Sequence, residues 1–173
     1  LAVAPVALAC MGASAQTMKP GLWEHSFTMK SQSGKMEQGM AELQKQIAAM
    51  PPEKRKQMEQ MMAQSGVAMG SKVNVVKVCV TPEDAARMDM PKFNDQCKQE
   101  VIKRSASTMQ FKFTCAGQPP TSGEGEVTFS SPTAYTSKSI VNTSVEGKPE
   151  RMTMDQSGKW LAADCGAVKP IKR

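Results

Sequence analysis

Apolar and polar residues alternate from Leu22 to Met29: Trp23, His25, Phe27 and Met29 share one side, while Leu22, Glu24, Ser26 and Thr28 share the other. A period of two predicts a strand with one buried face, ended by Ser31-Gln32-Ser33-Gly34. The period then changes. Met36, Met40, Leu43, Ile47 and Met50 recur at steps of three and four, which places them on one face of a helix. Pro51-Pro52 stops that helix, and Pro52 suits the first turn of the next. The second helix carries Met58, Met61 and Met62, runs to about Gln64 and is closed by Ser65-Gly66. Residues 35–66 therefore predict a methionine-rich helical hairpin inserted between strands.

The strand signal returns at Lys72, where Val73, Val75, Val76, Val78 and Val80 follow, and the adjacent Val75-Val76 suggests a bulge. In Thr81-Pro82-Glu83-Asp84, Thr81 can cap free helix amides, Pro82 fits the first helical position and Asp84 favours the positive end, so a short helix ending by about Met88 is expected. Asn94 to Gln96 reads as a loop into Cys97. Further strands are marked by Val101-Ile102, by the alternation of Met109, Phe111, Phe113 and Cys115, by Val127 and Phe129, by Tyr135 to Val145, and by Arg151 to Gln156, where Met152 and Met154 share a face. Ser157-Gly158 then precedes Trp160. The expected fold is α+β, mainly β: a curved antiparallel meander of about seven strands, half-barrel or barrel, because closure hides sheet edges.

The first residues stand apart from this pattern. Leu1 to Met11 is apolar and uncharged, and Ala13 and Ala15 form the small-x-small signature that signal peptidase reads. The run is too short to span a bilayer. It reads as a secretory leader (residues 1–15) cleaved before Gln16, followed by one domain at 16–173. Export to the periplasm is the expectation. Ala7-Leu8-Ala9-Cys10 is a poor lipobox, because the usual leucine falls one position late, so release is expected over lipid anchoring.

Charge adds little. The chain carries a net +6, but its basic residues are scattered and only eight residues are aromatic, so stacking on nucleic-acid bases is poorly supported. A soluble basic surface on a monomer is expected, with no nucleic acid and no transmembrane segment. Four cysteines remain after the leader: Cys79, Cys97, Cys115 and Cys165. An even number in an exported protein reads as two disulfides. Of the three pairings, Cys79–Cys97 with Cys115–Cys165 is expected, since the first pair brackets one short loop.

Candidate chemistry is sparse. A single histidine, with no G-x-S-x-G elbow, H-E-x-x-H or phosphate-binding glycine loop, argues against a triad or a zinc hydrolase. No catalytic residue is assigned, an enzyme is not expected, and no cofactor is called for. His25 lies on the apolar face of its strand and reads first as a buried, hydrogen-bonded imidazole. The alternative is a Cu(I) site from His25, Met29, Met109, Met152 and Met154, because thioethers and imidazole suit soft metals. The hairpin methionines Met36, Met40, Met58, Met61 and Met62 offer an adaptable apolar surface. They suggest a binding protein for an apolar or amphipathic envelope ligand such as a lipid, or a module that docks an envelope protein partner.

Three segments taken together carry a resemblance: Met18-Lys19-Pro20-Gly21-Leu22-Trp23-Glu24, Cys79-Val80-Thr81-Pro82-Glu83-Asp84, and Ser157-Gly158-Lys159-Trp160-Leu161 with Asp164-Cys165-Gly166 and Pro170 beyond. The combination resembles the exported proteobacterial family known as domain of unknown function thirty-six seventeen, over residues 18–30 and about 73–170. That resemblance implies a periplasmic location and a small β-rich domain, and brings no established activity or catalytic residues. The matching positions are Gly21, Trp23, Cys79, Cys97, Cys115, Trp160, Asp164, Cys165 and Gly166. The hairpin lies outside them.

Overall fold

A computed structural model describes residues 17–70, 74–87 and 96–171. The expected leader, its cleavage point and Cys10 lie outside the described residues, as do Lys72, Val73, Met88 and Asn94. The described chain runs β1 (Gly21–Ser31), α1 (Lys35–Ala49), α2 (Pro52–Gln64), β2 (Val67–Met69), β3 (Val75–Val80), α3 (Pro82–Arg87), β4 (Cys97–Arg104), β5 (Thr108–Cys115), β6 (Thr121–Ser131), β7 (Ala134–Val145) and β8 (Lys148–Ala162). The fold is α+β, mainly β, with the helical hairpin between β1 and β2. All strands form one antiparallel sheet in the order β2-β3-β1-β8-β7-β6-β5-β4. The first and last strands are therefore neighbours in its interior. Among the described residues no helix is long and apolar enough to cross a membrane.

The sheet departs from the sequence reading in four respects. It has eight strands, because the three-residue β2 is too short to show a period. It is open, with β2 and β4 as its edges, so the closed-barrel alternative is not adopted. Val75 and Val76 form no bulge: β3 pairs in unbroken register with both β1 and β2. Their adjacency reflects a strand with no exposed residue on either face. Finally, β8 runs straight through Ser157-Gly158 for 15 residues, and the glycine has a packing role.

That role recurs across the sheet. Phe113 lies opposite Gly123 and Phe111 opposite Gly125 on β5 and β6, while Tyr135 lies opposite Gly158 on β7 and β8. A Cβ on Gly123, Gly125 or Gly158 would approach the facing ring to 2.5, 2.7 and 2.0 Å. Each ring leans over the bare backbone of the next strand and covers it. Met109, Phe111, Phe113, Val127 and Phe129 form the buried cluster, with Met18, Cys115, Tyr135 and Val141 packed against it. Trp23, fully buried, donates its indole N–H to the Lys19 carbonyl at 2.8 Å. The chain ahead of β1 is held by Lys19 N–H to Pro132 O at 2.8 Å and by the Trp160 indole N–H to Pro20 O at 3.0 Å. The other face carries charges that alternate across strands. Glu24 faces Lys77 and Lys159, and Lys138 faces Asp155 and Glu126. Lys112 faces Glu124 and pairs with Glu100 at 3.1 Å. Such cross-strand pairs each contribute a few tenths of a kcal/mol.

The four cysteines among the described residues are all bridged, with a connectivity that differs from expectation: Cys79–Cys165 and Cys97–Cys115. Cys79 and Cys97 cannot meet, because β3 and β4 lie at opposite ends of the sheet. Cys97 and Cys115 are instead direct cross-strand partners on β4 and β5. Cys79 also forms an isolated parallel bridge with Pro170, which brings the segment carrying Cys165 alongside β3. α3 begins as expected, with Asp84 N–H donating to Thr81 Oγ1 at 3.1 Å.

Two outcomes follow. Replacing Gly158 with alanine forces the Tyr135 ring off the strand, and urea denaturation should show a loss of about 1–3 kcal/mol. The Cys79–Cys165 bridge spans 86 residues and the Cys97–Cys115 bridge 18. C79A/C165A should therefore destabilise more than C97A/C115A, by about 1 kcal/mol on chain-entropy grounds, as read by the same titration.

Candidate functional site

Two places on the molecule gather residues with binding or proton chemistry. The first is the aromatic row around His25. Strand alternation puts Trp23 and His25 on one face of β1, and β8 and β7 bring Gln156 and Tyr135 to the same face. The Tyr135 hydroxyl lies 2.6 Å from His25 Nδ1 and accepts from Gln156 Nε2 at 2.9 Å. The hydroxyl and the imidazole nitrogen thus satisfy each other within the sheet face, whichever of the two carries the shared proton. Ring centroids step from Trp23 to Tyr135 at 5.9 Å, from His25 to Tyr135 at 5.7 Å and from Phe129 to Tyr135 at 6.0 Å. Burial pushes His25 down from 6.5 to about 4 and pushes the Tyr135 hydroxyl well above its ordinary range. Both groups are thus held neutral.

The second place is a groove of about 330 Å³ between α1 and the sheet, lined by Ser31, Ser33, Lys35, Met36, Gly39, Met40, Leu43, Val145, Glu150 and Met152. Its helical wall is set by the start of α1. Gly34 takes a left-handed φ of 73° that turns the chain out of β1. Ser31 then serves the first turn: its Oγ accepts Met36 N–H at 3.2 Å and donates to Glu37 at 2.6 Å, while its own N–H reaches Glu37 at 2.9 Å. The Ser31 hydroxyl, ahead of two backbone N–H groups, holds the Glu37 carboxyl below its usual range. At the far end of α1, Arg55 of α2 donates Nη2 to the carbonyls of Ile47 and Ala48 at 3.2 Å. The groove floor is polar at one end, where buried Glu150 accepts Ser33 N–H at 2.9 Å. Lys35 pairs with Glu146 of the β7–β8 turn and holds that carboxyl below its usual range. The rim is thus charged and the centre apolar.

The structure separates the residues singled out by sequence. Met36 and Met40 wall the groove, whereas Met58, Met61 and Met62 sit on α2, which packs beside β2 rather than on the groove. Of the soft-metal set, Met29 and Met154 are direct cross-strand partners, and Met152 is two pairs further along, opposite Ser31. His25 lies four residues from Met29 along β1, roughly 13 Å of strand, and its Nδ1 is engaged by Tyr135. Met109 belongs to the buried cluster on β5, four strands from β1, with Arg104 Nη2 on its sulfur at 3.3 Å. Among the described residues no group of three or more His, Cys, Asp or Glu side chains is arranged to hold a metal ion. Sequence reasoning missed Tyr135, Gln156, Val145 and Glu150. Their partners come from segments distant in the chain, such as Ser33 for Glu150 and His25 for Tyr135, and the polar strand read from Tyr135 to Val145 carried no signal for them.

A single open antiparallel sheet, stapled by two disulfides and carrying an inserted helical hairpin, defines a small mainly-β domain with a shallow groove. The family model described as "Protein of unknown function (DUF3617)" matches residues 18–165, and the chain belongs to that family. It is also similar to the "Uncharacterized protein in lpd-3 5'region" of Pseudomonas putida, 36% identical over 117 residues, covering 66% of this chain and 79% of the relative. No solved structure matches the chain with significance.

The neutral His25 makes stability depend on pH. Its folded value lies below its unfolded value, so the unfolded chain takes up the proton first. Stability should be full above pH 6.5, fall as pH drops toward about 4 and level off below that. The total loss attributable to this group is on the order of 3 kcal/mol. Urea titrations across this window should show the slope in the wild type and a flatter profile in H25Q.

Proposed function

We propose that this chain is a non-catalytic, exported binding protein of the cell envelope that takes an apolar or amphipathic small molecule in the groove between α1 and the β7–β8 end of the sheet. The observation that carries the reading is the lining itself: Met36, Met40, Leu43, Val145 and Met152 present thioether and aliphatic surface, with Lys35, Ser33 and Glu150 at its polar end. Its volume of about 330 Å³ falls at the lower end of small-molecule sites. Methionine adapts to irregular apolar shapes at little cost in strain. An aliphatic chain would lie along the methionines, with a polar head toward Lys35 and the Ser33 hydroxyl. Export is supported by the small-x-small signature at Ala13 and Ala15 and by the pairing of the four described cysteines.

A fluorescent fatty acid whose emission rises on leaving water tests this reading. The wild type should bind it, and M40D, which puts a carboxylate in the groove, should weaken binding at least about tenfold, a change of ~1.4 kcal/mol. M61D on exposed α2 should leave binding unchanged. Absence of binding by the wild type, or equal loss in both variants, would overturn the assignment.

A further inference from the structure

We propose that the helical hairpin is a methionine oxidation site, at which conversion of its thioethers to sulfoxides by a hydroperoxide loosens the hairpin from the sheet. Of the chain's 15 methionines, Met36, Met40, Met50, Met58, Met61 and Met62 fall within α1, α2 and the turn between them. No residue of either helix is buried, and Met61 is 65% exposed. Met109, by contrast, is 3% exposed inside the aromatic cluster. Met61 is thus an open thioether, Met36, Met40, Met50, Met58 and Met62 are half-buried, as are Met18, Met29, Met152 and Met154 along the sheet, and Met109 is sealed.

The half-buried thioethers of α1 also do the attaching. The apolar stripe of α1 consists of Met36, Met40, Leu43, Ile47 and Met50, and Met36 and Met40 meet Met152 of β8 across the groove. The hairpin touches the sheet mainly through α1 on β1 and α2 on β2. None of its residues belongs to the buried cluster. In the reaction, a sulfur lone pair attacks the terminal peroxide oxygen; the S–O bond forms as the O–O bond breaks. Sulfur gives up two electrons, and hydrogen peroxide leaves as water after proton transfer. The product carries a polar S–O group that calls for water. At Met36 and Met40 that group sits where the stripe meets apolar sheet residues, so hydration pulls α1 outward and leaves the sheet intact. A sulfoxide reductase reverses the change. This inference does not depend on a ligand occupying the groove.

The test is stepwise oxidation of the full protein with hydrogen peroxide, followed by peptide mass mapping and amide hydrogen exchange. Met61 should gain oxygen first, the half-buried methionines next and Met109 last. Exchange across residues 35–64 should rise roughly tenfold while β5 to β8 stay protected. Treatment with methionine sulfoxide reductase should restore protection. M36L/M40L/M50L keeps the stripe apolar but unoxidisable, so exchange across α1 in this variant should not respond to peroxide. Oxidation of Met109 in step with the hairpin, unchanged exchange after oxidation, or a full response in the leucine variant would each overturn the proposal. These readouts are mass and exchange, so they stand or fall separately from fatty-acid binding.

Discussion

A single sheet with apolar residues on one face has to find cover for that face, and in this protein the cover comes largely from the sheet itself. The aromatic side chains of β5 and β7 lie down over glycines of β6 and β8. The arrangement works only because those strands carry no side chain at Gly123, Gly125 and Gly158. Apolar area is removed from water at roughly 25 cal/mol per Å², so a ring turned flat along the sheet hides far more than one standing upright. The row of buried Trp23 and Phe129 with half-buried Tyr135 extends the same cover to the central strands. His25 is drawn into it as a neutral group, its Nδ1 engaged by the Tyr135 hydroxyl, which in turn accepts from Gln156.

Cover is uneven, and function is proposed where it thins. Core rings seal β5 to β7, the C-terminal segment reaches β3 through Cys79–Cys165, and the Ser31 end of β1 meets α1 of the hairpin. α1 meets it with half-buried methionines instead of rings, which leaves the groove. A methionine surface tolerates imperfect fit and varied contacts, whereas an aromatic-on-glycine contact does not. The rigid and adaptable parts of the molecule are therefore made of different residues. The two disulfides act at the rigid margins, one joining the edge hairpin β4–β5 and the other anchoring β3.

Much of the local structure was legible because it is periodic. The alternation at Trp23, His25, Phe27 and Met29 marked β1, the three- and four-residue steps from Met36 to Met50 marked α1, and Thr81-Pro82 marked the start of α3. What escaped depends on register between distant segments. Nothing local announces that Gly158 is a strand residue roofed by Tyr135, or that Cys97 faces Cys115. The candidate site divides in the same way. Met36 and Met40 were visible as part of a stripe, while Val145, Glu150 and Met152 join them only because the β7–β8 turn docks against the start of α1. Met58, Met61 and Met62 look equivalent in sequence but belong to a helix turned toward β2.

The strand order carries a consequence for how the molecule comes into being. β1 is flanked by β3 on one side and by β8 on the other. A chain that emerges amino end first can pair β1 with β3 early, yet the opposite side of β1 stays open until almost everything else has appeared. The meander from β4 to β8 can assemble by short hairpins, which close quickly. Joining the two halves requires contacts between the first and last strands, the slowest kind to form. The structure is thus completed late and from its middle, and its seam, β1 against β8, is the place where a truncated or stalled chain would remain unfinished.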